Sequence, residues 1–92
     1  MDAHFYEELR GRLVGVLVLV ADRLDARAAE YVTDFLDHAE YGLALETMTD
    51  ALAEAEAPLT PDERQMILSV AHRMELNDGR VERNLSFCPG PS

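Results

Sequence analysis

The fold class turns on Leu13-Val14-Gly15-Val16-Leu17-Val18-Leu19-Val20-Ala21. Taken alone, its β-branched run suits a buried strand, a signal-peptide core or part of a membrane span. Nine apolar residues fall far short of the roughly 20 that cross a bilayer. The chain begins Met1-Asp2-Ala3-His4-Phe5-Tyr6-Glu7-Glu8, acidic where a signal peptide carries positive charge. On both sides of that stretch, Phe5, Leu9, Leu13, Val16, Leu17, Val20 and Leu24 recur at spacings of three and four, which is one helical face. The stretch is therefore read as the middle of a helix over about Ala3 to Leu24. Because it is apolar nearly all round, this is expected to be the most buried helix.

The rest of the chain follows the same period. Asp25 is placed to cap a second helix, Ala26 to about His38, with Ala28, Tyr31, Val32, Phe35 and Leu36 inward and Glu30, Asp34 and Asp37 outward. A third helix, about Glu40 to Glu56, turns Tyr41, Ala44, Leu45, Met48, Leu52 and Ala55 inward. Glu46, Asp50 and Glu54 stack outside at i, i+4 spacing, where like charges cost a few tenths of a kcal/mol per pair. No arginine or lysine stands between Ala28 and Glu63 to relieve them. Thr60-Pro61-Asp62-Glu63 is the strongest local signal: Thr60 as N-cap, Pro61 at the first helical position and Glu63 closing a capping box. That fourth helix carries Met66, Ile67, Val70, Ala71 and Met74 inward and ends near Leu76, with Asn77-Asp78-Gly79 as its stop. Residues 80–92 read as an extended or disordered tail, with Leu85 and Phe87 as candidates for pinning to the core. The expected architecture is all-α, a compact bundle of about four helices over residues 1–79 with a short irregular C-terminal tail.

Ninety-two residues suffice for one domain with one modest core. Eighteen acids against eight bases, all arginine, give a net charge of −10. The acidity is concentrated: Asp25 to Glu63 holds eleven carboxylates and one arginine, while seven acids and seven bases cancel outside it. Such a field repels nucleic acid and anionic membranes, so neither is expected as a partner. It steers basic proteins.

Catalytic and metal chemistry find no foothold in the pattern. His4, His38 and His72 are not at ligand spacing, and HExxH, CxxC and EF-hand loops are absent. His38-Ala39-Glu40 has the letters of a deaminase signature without its downstream Pro-Cys-x-x-Cys. Cys88 is the one cysteine, so no internal disulfide can form. No enzyme activity, cofactor or metal is expected, and the location expected is cytoplasmic.

The stretch Val32 to Leu76 resembles the MafI family of immunity proteins. The resemblance is carried by Phe35-Leu36-Asp37-His38-Ala39-Glu40-Tyr41-Gly42-Leu43-Ala44-Leu45-Glu46, then Asp50-Ala51-Leu52, Glu56-Ala57-Pro58-Leu59-Thr60 and Met74-Glu75-Leu76. Small residues around Ala53 stand where that family usually has an aromatic. The resemblance implies a small cytoplasmic protein that binds and silences a cognate secreted polymorphic toxin. Joined to the charge map, it directs attention to Asp34, Asp37, Glu40, Tyr41, Glu46, Asp50 and Glu54 as the face toward a toxin with a basic surface. The alternative is a helical adaptor or regulatory module without a toxin, because Ala44-x3-Met48-x2-Ala51-Leu52 echoes one tetratricopeptide helix.

Overall fold

The computed structural model describes residues 3–91, and among these there is no strand. The elements are α1 (Ala3–Val20), a 3₁₀ turn (Ala21–Arg23), α2 (Ala26–Asp37), α3 (Tyr41–Glu54), α4 (Pro61–Arg73) and α5 (Arg80–Ser86). The radius of gyration is 12.3 Å, matching the ~12 Å expected of a folded chain of this length. The all-α class holds, and the helices number five where about four are expected.

The caps are those the sequence specifies. Asp25 accepts from the Ala28 amide at 2.7 Å. At α4 the Glu63 amide donates to Thr60 Oγ1 at 3.1 Å, and the Thr60 amide donates to Glu63 Oε1 at 2.9 Å. The helix ends are different. α2, α3 and α4 each close in a Schellman motif with a left-handed residue that is not glycine: Ala39 (φ 56), Glu56 (φ 48) and Glu75 (φ 56). Each shows both signature bonds, for example Glu40 N to Phe35 O at 2.8 Å and Ala39 N to Leu36 O at 3.2 Å.

Tyr31, Ala55 and Met66, expected inward, are exposed, because no neighbouring element covers them. Two larger expectations also change. The first concerns α1. Leu9, Leu13, Val16 and Val20 are buried as one stripe, but Val18 is 73 % exposed and Gly11 and Gly15 meet no neighbouring atom within 4 Å where a Cβ would stand. The centre of the bundle is α3, which packs against α1, α2 and α5 and buries Ala44, Leu45, Met48, Thr49 and Leu52. α1 was apolar on a face that nothing covers, and hydropathy alone does not say how many neighbours a helix has.

The second concerns the C-terminal segment. Residues 80–86 are helical, and Val81, Leu85 and Cys88 are buried in the core. Leu85 is pinned as expected, while Phe87 is 57 % exposed. Gly79 (φ 77) is the N-cap of α5, so Asn77-Asp78-Gly79 opens a helix as well as following one. The segment is fastened at its end too. Arg64 donates to the carbonyls of Leu85 (2.8 Å) and Cys88, and the Leu59 amide donates to the Pro89 carbonyl at 2.9 Å.

Candidate functional site

The acidic residues singled out above fall into two groups with different surroundings. The α3 group meets α5. Arg80 reaches Asp50 through two guanidinium nitrogens and lies 3.7 Å from Glu46. Asn84 donates to Asp50 Oδ1 at 2.7 Å and to the buried Thr49 hydroxyl at 3.1 Å. Burial alone would push the Asp50 carboxyl up; hydrogen bonds from Arg80 and Asn84 outweigh it and hold the group below its ordinary value. The Glu46 side chain is only 14 % exposed. The missing counter-charge for the acidic stack thus arrives from 30 residues along the chain. Glu54, at the end of that stack, stays exposed beside Arg23, Arg27 and Tyr31 in a shallow groove between α2 and α3.

The α2 group faces solvent. Asp34 and Asp37 side chains are 69 % and 60 % exposed, and Glu30 and Glu40 are exposed as well. Asp37 has Arg10 at 3.8 Å, too long to tie either down. His38, at the C-terminal end of α2, is raised from its ordinary pKa, first by its 2.8 Å contact with the Asp34 carbonyl and then by the Asp34 carboxylate.

Tyr41 is half-buried and belongs to an aromatic cluster. Phe5 and Tyr6 meet edge to face at 5.5 Å, and Tyr6 and Tyr41 lie 6.3 Å apart with rings tilted by 37°. Leu9, Met74 and Leu76 complete a groove of about 420 Å³, with Ala39 and Glu75 at its sides. Arg73 sits 5.3 Å from the Phe5 ring centre and 2.7 Å from Glu8. This groove was not legible in sequence: its walls come from α1, α3 and α4, and only Tyr41 was singled out.

One further ionic site is structural. Arg23 donates to both Glu63 oxygens (2.7 and 2.8 Å) and to the Pro58 carbonyl (3.0 Å). Hydrogen bonds from Arg23, then from the Thr60 backbone, hold Glu63 down at about 2. One carboxylate therefore closes the α4 capping box and joins α4 to the end of α1.

Among the described residues no cluster of three or more His, Cys, Asp or Glu could hold a metal ion. Ser69, His72 and Glu82 line one open groove between α4 and α5 without hydrogen-bonding to one another, so no nucleophile–base pair is assembled there. The Cys88 thiol is buried, and burial pushes its pKa up despite nearby Arg64, the reverse of what a reactive thiol needs. No helix among the described residues is long and apolar enough to cross a membrane. Comparison with family models, with curated proteins and with solved structures gives no match for this chain.

Proposed function

We propose that this chain is an immunity-type inhibitor that binds a cognate toxin protein through an acidic helical face. The observation that carries the reading is the exposed stripe Glu30, Asp34, Asp37 and Glu40, on α2 and the turn that follows it, met within the chain only by long contacts from Arg10 to Asp37 (3.8 Å) and from His38 to Asp34 (3.7 Å). A fold with no use for that charge internally presents it outward, where it speeds encounter with a basic surface and sets register. The MafI-like stretch Val32 to Leu76 includes Asp34, Asp37 and Glu40 of that stripe. The contact face is accordingly narrowed to Asp34, Asp37, Glu40 and Tyr41, with Glu54 at the far end, because Glu46 and Asp50 already serve Arg80.

The test is co-production with any toxin-like protein that a neighbouring gene encodes. The expected result is rescue of growth and a one-to-one complex. Reversing Asp34, Asp37 and Glu40 to lysine should then weaken the complex at least tenfold and flatten its salt dependence. Neither rescue nor complex would leave the adaptor reading in its place.

A further inference from the structure

We propose that the groove between α1 and α4 is the contact face of a symmetric dimer, its occupant being α1 of a second copy of this chain. This face is separate from the acidic stripe on α2, which stays free in the dimer.

The groove has a volume of about 500 Å³, and all its walls come from α1 and α4. Val16 and Val70, both buried in the core, form its floor. Gly15 is a notch in one wall, because nothing stands within 4 Å of where its Cβ would be. Knobs stand beside the notch. Val18 and Leu19, one turn further along α1, are 73 % and 38 % exposed, and Met66 on α4 is 45 % exposed. Large apolar side chains left in water around one groove are what docking would cover.

Charge decides the occupant. α1 and α4 run antiparallel, since Glu8 pairs with Arg73 at one end and Arg23 with Glu63 at the other. Arg12 therefore stands toward one end of the groove and Asp62 toward the other. At the first end Glu8 is shared by Arg12 (3.2 Å) and Arg73 (2.7 Å), which leaves one positive charge in excess. At the second, Asp62 is exposed and has no ion-pair partner among the described residues. A two-fold axis lying across α1 between Gly15 and Val18 sets the two α1 helices antiparallel. That operation seats the Val18 of each copy in the Gly15 notch of the other. It also turns each Arg12 toward the Asp62 of the other copy. Shape and charge thus agree on one symmetry operator, and a second copy supplies both matches at once. The lining charges cancel, so a chain of net charge −10 meets its copy on a neutral face. With 18 and 13 residues, α1 and α4 present a face of roughly 25 by 20 Å. That is small for a specific interface, so the dimer is reversible.

Sedimentation equilibrium of the full chain, from about 10 μM to about 1 mM in about 0.15 M salt, tests this. The expected result is a mass that rises with concentration to that of two copies. Val18→Arg should weaken the dimer at least tenfold. The site is exposed and the change lowers the net negative charge, so neither unfolding nor repulsion accounts for such a loss. Arg12→Asp alone and Asp62→Arg alone should each weaken it at least threefold, since every change acts twice in a two-fold dimer. The two together should restore it to within about twofold, because the swap re-forms the reciprocal pairs. A dimer indifferent to Val18→Arg, or a charge swap no better than either single variant, would overturn the proposal. So would a monomer at every concentration, which would leave the groove to a partner of another sequence.

Discussion

Helices α2 and α3 carry the same kind of outer stripe, carboxylates at three- and four-residue spacing, yet they end in opposite states. On α3, Glu46 and Asp50 are covered by Arg80 and Asn84 and help to dock α5. On α2, Glu30, Asp34 and Asp37 remain in water. An acidic stripe in a sequence is therefore ambiguous until the rest of the chain has been placed. The deciding residue is remote, and the stripe that stays exposed, with only long contacts inside the chain, is left to attract a partner outside it.

Removing Arg23 should have the largest effect on stability, because Glu63 is nearly buried and would lose its partner. Arg23→Ala is expected to cost roughly 2–4 kcal/mol, read as a lower midpoint in urea. It sets the scale for what a committed carboxylate means here. Arg80→Ala tests the α3 side directly. That pair is more than a third exposed, so the expected loss is about 1 kcal/mol, and an unchanged midpoint would make the α2 and α3 stripes energetically alike.

Acid should expose the engaged carboxylates, Glu63 and Asp50, without mutation. Glu63 has a folded pKa of about 2, below its ordinary 4.5, and Asp50 is likewise held low. A carboxyl depressed in the folded state contributes stability that is present above its unfolded pKa and lost as pH falls through the folded one. The thermal midpoint should therefore fall progressively below about pH 4.5 and toward pH 2 in the wild type. The fall should be shallower in Arg23→Ala. The smallest effect belongs to α2: Asp34→Asn with Asp37→Asn should move stability by less than about 0.5 kcal/mol, since exposed sites away from special features do little. The same pair should weaken capture of a basic partner, so stability and binding would part company there and not at Glu46 or Asp50.

Much of the fold was legible, and for stated reasons. Period and capping chemistry are local, so α2 and α4 start where Asp25 and Thr60 say they should. The all-α class followed from carrying that period through Leu13–Ala21. What local reasoning missed was of two kinds. Proline and glycine near the C-terminus suggested a loose tail, but Val81, Leu85 and Cys88 form a buried side whose docking site is made by α3 and α4. The role of Arg80 and the aromatic groove likewise depend on contacts between distant segments. Tyr41 and the α2 carboxylates could be singled out from sequence; that Glu46 and Asp50 were already engaged could not.

The three left-handed helix ends carry a consequence for how far this fold could be improved. A side chain in that conformation costs roughly 1–2 kcal/mol that glycine does not incur. Ala39, Glu56 and Glu75 each occupy it. Glycine at any one of them should raise the melting point, by about 4–8 °C for each kcal/mol recovered in a domain of this size. The molecule is thus built below its own ceiling, and the way up is to delete side chains rather than to add contacts.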